Sequence, residues 1–499
     1  MIPVPPDVEE KELEELNGED ELDQLDNGPT ERDKAALEDL LEGNKAVTTN
    51  HPDSRFSFLK RLLRPLTPQN ADFEVPPQLA DRVEFWKQIF TKFDSKQLVL
   101  HDIDYFLIYD AIDVSDLVGR ENISSNKRRR ILKIRFQQVQ NKYHYILRSL
   151  AKKTKAANFD LSQLDSEELR IFNLFLPIKE PDKFLHAHFH NRIRAQYGMR
   201  DHFMNGIKLS GKYLRTMEQI FQEEGLPIEL TRLPFIESSF HIRAHSRVGA
   251  SGIWQFMRST GKLFLRIDEA IDERRDPLES TRGAAKLLKK NYEILGSWPL
   301  AVTAYNHGTA GMLRAVEECN TADLPAIIRQ YSGRRFGFAS KNFYAEFLAA
   351  LEVEADKEKY FGEVETDSPP TFDVVTLDRY LSIETLSRHA GIDKMALAEL
   401  NPAFTTSVLK GHLRVPRNYP IRFPAGTRSA FLESYAKIPE KEKYAKQQGK
   451  NFHTVSRGDT LSVIARRYNT SISDIIDANA LHNIHHIRVG QILTIPVRQ

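Results

Sequence analysis

A pattern of residues occurs twice near the C-terminus of this chain, and it restricts what that part can fold into. Asn401 and Asn479 lie 78 positions apart, and each follows a β-rich run and two helical patterns. Repetition in register indicates two copies of one small α+β unit, ordered strand, helix, helix, strand, at 371–425 and 451–499. Apolar positions keep the same offset: Ile383 with Leu461, Leu386 with Ile464, and Leu397 with Ile475.

The two copies differ at the turn before their first helix. The second copy has Gly458 and Asp459 there, whereas the first copy has the bulkier Tyr380 and Leu381. We therefore expect the first copy to keep the fold while losing the turn. The stretch between them, 426–450, is rich in Lys and Glu and is predicted to be a charged linker.

Upstream of the repeat, the chain changes character twice. Residues 1–75 are rich in Asp and Glu and poor in aromatic residues, so they are predicted to be mostly disordered. Apolar residues at spacings of three and four predict a helical region at 76–209 and a nearly all-helical domain at 210–362. Asp276 followed by Pro277 is a helix-start signal in the second of these. The predicted fold class is mainly α, with small α+β units at the C-terminus.

Composition narrows the class of partner. The 499 residues include 70 Lys and Arg against 69 Asp and Glu, so net charge does not indicate a nucleic-acid partner. The basic stretch at 126–130 is predicted to be a solvated helix face. Cys319 is the single cysteine, which excludes an internal disulfide, and it is predicted to be a core thiol.

Motifs for metal or nucleotide chemistry are missing from the sequence. It contains no HExxH, CxxC, Walker loop or GxSxG, and the adjacent His485 and His486 are predicted to be solvated. We therefore expect no metal and no organic cofactor. No apolar run is long enough for a transmembrane helix, and the first residues include no apolar segment typical of a signal peptide.

One carboxylate stands where a carboxylate is disfavoured. Glu237, in "FIESSF", falls where a helical pattern ends, and the negative end of the helix dipole makes that a poor place for an anion. Burial among its apolar neighbours would raise its pKa and keep it protonated, as a general acid requires. From the residues alone, a surface carboxylate and a general acid both remain open.

Two further segments place polar or aromatic side chains at helix ends. "GASGIWQF" contains Trp254 and Gln255, and "AYNHG" contains Tyr305 and Asn306. An amide can hydrogen-bond a sugar and an aromatic ring can stack on one, but a buried indole and an amide in a left-handed turn are equally compatible with the pattern. Both interpretations stay open at this point.

Taken together, the segments resemble a known family. "ESSF", "GASGIWQFMRSTG" and "AYNHG", in this order and spacing, resemble the motifs of bacterial lytic transglycosylases with the goose-lysozyme-like fold, in particular the membrane-bound type D kind. Tyr344, in "KNFYAEFLAA", resembles the tyrosine of a late motif of that family. The resemblance spans about 225–361. The two C-terminal units resemble LysM modules, which bind glycans containing N-acetylglucosamine, and the first of them is degenerate.

The resemblance implies an activity and a set of site residues. It implies cleavage of the β-1,4 bond between N-acetylmuramic acid and N-acetylglucosamine, with Glu237 acting first as acid and then as base to close a 1,6-anhydro ring. Trp254 is expected to pack beneath the groove. Residues expected to position the sugar are Ser238, Gln255, Tyr305, Asn306 and Tyr344. Residues expected to bind glycan in the second module are Gly458, Asp459, Thr460, Leu461 and Asn479.

Two alternatives remain. One is a hydrolytic muramidase, and the other is a non-catalytic peptidoglycan-binding protein, against which the intact set of Glu237, Gln255, Tyr305 and Asn306 argues. The expected partner is the glycan strand of peptidoglycan, in the periplasm or cell envelope, with association to the outer membrane compatible with the family. Because the family is exported, the start of the sequence is expected to be processed or truncated. The sequence does not distinguish action within chains from action at chain ends.

Overall fold

The computed structural model describes residues 73–495, apart from 119–122, 247, 449–450, 480 and 482–486. The predicted disorder of the acidic N-terminal stretch and the predicted solvation of His485 and His486 lie outside the described residues. Contacts between Cα atoms divide the chain into two units. Of the described residues, the large unit holds those in 73–257 and 281–367, and the small unit holds those in 258–280 and 368–495.

A three-stranded antiparallel sheet lies in the region predicted to be helical at 76–209, which corrects that prediction. Its strands are β1 (Gln97–Asp102), β2 (Ile108–Asp113) and β3 (Ile193–Tyr197), in the order β2-β1-β3. The central strand β1 is buried at five consecutive positions, 98–102. Both of its faces are covered, so its sequence lacks the alternation by which a half-exposed strand is recognised.

Helices surround this sheet, as the apolar spacing predicted. The long helix α2 spans Ser125–Lys153 and is capped by Ser124, whose side chain accepts a hydrogen bond from the Lys127 amide. Its basic first turn at 126–130 is exposed or partly exposed. Its buried side chains, among them Phe136 and Leu147, join the sheet in one core. The helices of this region are α1 (Ala80–Thr91), α2 (Ser125–Lys153), α3 (Ser166–Leu174), α4 (Lys183–Ala187) and α5 (Arg200–Ser210).

The region predicted to be nearly all helical is helical. The predicted start signal is confirmed, because the Asp276 carboxylate accepts hydrogen bonds from the amides of Leu278 and Glu279. Cys319 is only partly buried, which corrects its prediction as a core thiol. The helices are α6 (Leu214–Glu223), α7 (Leu233–Glu237), α8 (Arg258–Gly261), α9 (Pro277–Leu295), α10 (Trp298–His307), α11 (Thr309–Cys319), α12 (Leu324–Gln330), α13 (Phe338–Ala355) and α14 (Lys357–Phe361).

The C-terminal repeat is confirmed as two small α+β modules with separate cores. In each, the repeated asparagine holds the closing strand: Asn401 exchanges two hydrogen bonds with the Arg422 backbone, and Asn479 exchanges two with Thr494. The first module comprises β4 (Phe372–Thr376), α15 (Ile383–Ala390), α16 (Lys394–Leu400), α17 (Thr406–Leu409) and β5 (Pro420–Pro424). The second comprises β6 (Asn451–Thr454), α19 (Leu461–Arg467), α20 (Ile472–Asn479) and β7 (Ile492–Ile495).

The stretch predicted to be a charged linker is instead folded onto the first module. It contains helix α18 (Arg428–Ala436), and Phe431 is 2% exposed within the core of that module. Its ring stacks on Phe423 of β5 with centroids 4.3 Å apart. Lys and Glu cover the outer face of this stretch, so its average composition hides a few buried apolar anchors.

Residues 258–280 were predicted to be a continuous part of the helical domain, and here the structure differs. They pack with the first module, where Ile271 is fully buried in the module's core. The amide of Asp272 donates to the Ala403 carbonyl over 2.8 Å, and the amide of Thr405 donates to the Ala270 carbonyl over 3.0 Å. The small unit is therefore built from two separate stretches of the sequence.

Candidate active site

Glu237 is the last residue of α7, where the chain makes a sharp turn. The amides of Ser238 and Phe240 both donate to the Pro234 carbonyl over 3.1 Å. Ser239 and Phe240 then adopt left-handed backbone conformations, with φ of 48° and 59°. Such conformations are costly for residues other than glycine and are concentrated at functional sites. The turn leaves Glu237 half-buried at the end of the helix.

A glycine that sequence reasoning missed lets another helix approach this turn. A Cβ atom on Gly206, in the interior of α5, would lie 3.2 Å from the Phe235 ring and 3.3 Å from the Ser239 carbonyl oxygen. Phe203, one turn earlier, stacks on Phe235 with centroids 4.8 Å apart. An isolated glycine inside a helical pattern is the signal that could have indicated this close contact.

The second motif is tied to the first by a buried hydrogen bond. The Ser238 hydroxyl donates to the Ile253 carbonyl over 2.9 Å. Beside it, Trp254 is fully buried, stacks on Phe221 at 5.8 Å and donates its indole N–H to the Thr281 hydroxyl. The expectation that Trp254 packs beneath the site is confirmed. These contacts fix the loop that carries Gln255.

Gln255 occupies a left-handed backbone conformation with φ of 44°. Its side-chain amide donates to the Gly252 carbonyl over 2.8 Å, which holds the side chain against its own loop. The residue is half-buried, and its Oε1 has no hydrogen-bond donor among the described residues. An oriented amide oxygen of this kind can accept a hydrogen bond from a sugar hydroxyl or an acetamido N–H.

The third motif connects to the second through Tyr305. Its hydroxyl donates to the Trp254 carbonyl over 2.6 Å, and its ring lies parallel to that of Phe343. Burial raises the pKa of Tyr305 well above its ordinary value, and the negative charge of Glu237 raises it further. The phenol therefore stays protonated and keeps its hydrogen bond to the Trp254 carbonyl.

Asn306 is exposed at the end of α10. Its side-chain oxygen accepts a hydrogen bond from the Ser340 hydroxyl over 2.8 Å. The alternative that Asn306 serves a left-handed turn is wrong, because it lies within the helix and Gly308 takes the positive φ of 86°. Asn306 thus presents an amide to solvent with its orientation fixed from α13.

The structure separates the predicted sugar-contacting residues into two groups. Glu237, Gln255 and Tyr305 are half-buried and Asn306 is exposed, so these four can reach a ligand. Ser238 is only 5% exposed and Tyr344 only 2% exposed, so neither offers a surface to a sugar. Ser238 instead joins two motifs. For Ser238 the geometry favours support of the site over direct contact with a sugar, and Tyr344 is buried in α13.

In the second module, the residues predicted to bind glycan have structural partners. Asp459 accepts hydrogen bonds from the Ser456 amide and from His453, and Thr460 caps α19. Leu461 is 4% exposed in the module's core. Asn479 uses its amide to hold β7, as described above. Gly458, exposed and with φ of 93°, gives the turn its shape.

Comparison with known proteins agrees with this architecture. Residues 217–325 match the Transglycosylase SLT domain, and residues 453–496 match the LysM domain. The chain is 26% identical, over 316 residues, to the membrane-bound lytic murein transglycosylase D of Escherichia coli (strain K12), covering 61% of this chain and 69% of that protein. The same figures hold for the protein of that name from Escherichia coli O6:H1. A protein named for tributyltin chloride resistance from Alteromonas sp. (strain M-1) is 34% identical over 119 residues, which are 23% of this chain and 58% of that protein.

The chain therefore carries a transglycosylase SLT domain with the lysozyme-like helical fold, followed by a LysM domain. It is similar in sequence to the two proteins named membrane-bound lytic murein transglycosylase D. Within the described ranges, no group of three or more His, Cys, Asp or Glu could hold a metal ion. No helix of the described part is both long and apolar enough to cross a membrane.

Proposed function

We propose that this protein is a peptidoglycan lytic transglycosylase that cleaves the bond between N-acetylmuramic acid and N-acetylglucosamine. The observation that carries the proposal is the convergence of three distant motifs on Glu237. Ser238 bonds to the second motif at Ile253, and Tyr305 of the third motif bonds to the second at Trp254. The similarity to the type D enzymes gives the substrate class.

Glu237 acts twice in the proposed reaction. As an acid it protonates the glycosidic oxygen that leaves with N-acetylglucosamine, and the bond from the muramoyl C1 to that oxygen breaks. The resulting carboxylate takes the proton from the muramoyl C6 hydroxyl, whose oxygen bonds to C1 and closes the 1,6-anhydro ring. No water is consumed. A retaining or inverting glycosidase needs two carboxylates, and the three motif segments contain only Glu237.

The neighbouring polar groups would hold the sugar during this step. The Gln255 Oε1 and the exposed Asn306 amide can hydrogen-bond substituents of the ring. The Tyr305 dipole lies beside Glu237 and can help stabilise charge that develops at the oxocarbenium-like C1. Each of these groups is fixed by a hydrogen bond within the fold, which reduces the cost of orienting it on binding.

The masses of the released muropeptides distinguish this reaction from hydrolysis. Purified peptidoglycan sacculi digested with the protein should release muropeptides one water lighter than their hydrolysed equivalents, as mass spectrometry can measure. Products dominated by free reducing sugars would instead assign a muramidase. Release of no soluble product by the folded protein would favour a glycan-binding protein without activity.

We further propose that the second module binds glycans of N-acetylglucosamine and places the enzyme on the cell envelope. We expect its groove to form where the Gly458 turn meets the segment after Asn479, because these two stretches of the chain join β6 to α19 and α20 to β7. Deleting the residues from 451 onward should lower affinity for intact sacculi more than it lowers turnover of short soluble glycans. Equal loss in both assays would contradict an anchoring role.

A further inference from the structure

A segment of the chain lies across the first module and contacts two of its loops. This segment, residues 442–448, is here called the strap. It starts at Glu442, the last residue of a short 3-10 helix (Glu440–Glu442) that follows α18. It ends at Gln448, which is 8% exposed. It lies entirely within the stretch that the sequence predicted to be a linker.

The strap meets the loop that joins the first strand to the first helix. The backbones of Tyr444 and Tyr380 exchange two hydrogen bonds, of 2.9 and 3.0 Å. Glu442 accepts a hydrogen bond from the Thr385 hydroxyl in the first turn of α15, and it pairs with Arg388 one turn later. The strap therefore covers the positions that correspond to the Gly458 turn of the second module.

The strap also contacts a second loop of the first module. This loop lies between α17 and the closing strand β5. This loop carries Arg414, and it is longer than its counterpart, since 21 residues separate Asn401 from its strand partner against 15 for Asn479. The Arg414 guanidinium lies 3.5 Å from the centre of the Tyr444 ring and donates to the Lys446 carbonyl. Hence both loops that border the proposed groove contact the strap.

The side chain of Gln447 makes hydrogen bonds like those that a bound sugar would make. Its side-chain amide donates to the Arg414 carbonyl over 2.9 Å and accepts from the Arg414 amide over 2.8 Å. The acetamido group of N-acetylglucosamine carries the same pair, one N–H donor and one carbonyl acceptor. A side chain of this chemistry can therefore take the hydrogen bonds that a bound acetamido group would make with the loop backbone.

The two modules differ in how exposed the side chain is at one corresponding position of their first helices. Thr385 of the first module is 6% exposed beneath the strap, whereas Val463, at the corresponding position of the second module, is 43% exposed. At this position the side chain is covered in the first module and exposed in the second.

We propose that the strap occupies, in the first module, the groove in which the second module takes a glycan of N-acetylglucosamine. This rests on the glycan-binding function proposed above. The first module is then a latent glycan site, closed by its own chain. A tethered segment acts at an effective concentration of order millimolar, so it excludes a glycan that binds a single module weakly.

Two truncated chains test the proposal, and they differ only in residues 440–448, which contain the strap. One ends after Gln448 and the other after Pro439, and both lack the second module, whose core shares no residue with that of the first. Co-sedimentation with chitin beads should show at least tenfold tighter binding by the chain without the strap. A synthetic peptide of residues 440–448, added at millimolar concentration, should reverse the gain.

Point variants cover the case in which removal of the strap unfolds the module. In the chain ending at Gln448, Gln447→Ala removes the acetamido-like contact but keeps the buried anchors of α18, and it should raise chitin binding. Lys441→Ala, at an exposed position just before the strap, should leave binding unchanged. A folded strap-free chain, or a folded Gln447→Ala chain, that binds no better than its parent overturns the proposal. Chitin binding by the full chain, through the second module, is measured separately. If the full chain does not bind chitin, that result counts only against the glycan-binding function proposed for the second module.

Discussion

The hydroxyl of Tyr305 donates a 2.6 Å hydrogen bond to the backbone carbonyl of Trp254, 51 residues earlier in the chain. This bond fixes the loop that carries Gln255 against the helix that carries Asn306. Ser238 makes the corresponding bond from the Glu237 turn to the same loop. Two hydroxyl groups thus hold three motifs in one geometry.

Tyr305→Phe should loosen this arrangement without removing the ring. Loss of a partner from a buried carbonyl costs about 1–3 kcal/mol. If that energy is needed to hold the loop in the reactive geometry, turnover should fall roughly tenfold to a hundredfold. Release of soluble muropeptides and denaturant unfolding measure the two effects. Tyr145→Phe, at a tyrosine that is 65% exposed, is the matched control, and equal effects of both changes would refute the assignment.

Glu237→Gln should abolish most activity while leaving the fold intact. The amide keeps the size of the carboxyl group but cannot donate or accept the catalytic proton, and such assistance is typically worth ~10²–10⁴-fold. Muropeptide release should fall by at least that range, with unchanged circular dichroism. Glu223→Gln, at an exposed position of α6, provides the control. Turnover like that of the unmodified protein would exclude Glu237 as the acid.

Asn479→Ala should destabilise the second module instead of removing a sugar contact. Its amide holds the Thr494 backbone with bonds of 2.7 and 2.8 Å, and loss of either leaves a backbone group unpaired at a cost of about 1–3 kcal/mol. Asn401→Ala should do the same in the first module. Limited proteolysis should cut each variant faster within the altered module. If Asn479→Ala binds chitin more weakly while its protease resistance is unchanged, Asn479 contacts the glycan directly.

Stability of the large unit should fall below neutral pH because of His101. This fully buried side chain packs against Phe85 with ring centroids 4.3 Å apart, and burial lowers its pKa to about 3 from the ordinary 6.5. Between these values the unfolded chain binds the proton and the folded chain does not, so stability is lost as pH falls through that window. From pH 7 to 5 the contribution is on the order of 2 kcal/mol. Urea unfolding of His101→Phe should show a smaller pH slope than that of the unmodified protein.

The sequence predicted those parts of the site that depend on local order. Glu237 at a helix end, the Gly/Ser loop before Trp254 and the helix break at Gly308 are all found where the patterns placed them. What the sequence could not distinguish was the direction of a polar side chain. Ser238 turns inward to the backbone while Asn306 faces solvent, and both are small polar residues beside a helix end.

The missed elements were those that tertiary packing stabilises. Strand β1 is covered on both faces and lacks alternation, whereas β3 alternates buried and partly exposed residues and could have been recognised. The stretch containing α18 is rich in Lys and Glu, and its fold depends on the contact of Phe431 with Phe423. Such pairing cannot be inferred from a single segment, because the partner lies on another element.

The packing of residues 258–280 with the first module imposes an order on folding. Asp276 pairs with Arg422, which is 146 residues later in the chain. At ~5–20 residues per second, Arg422 is synthesised roughly 7 to 30 seconds after Asp276. Until then Ile271 has no core to enter, and a fragment cut at 210–362 would carry this apolar surface permanently. The transglycosylase domain can therefore complete its fold only after the first module has been synthesised.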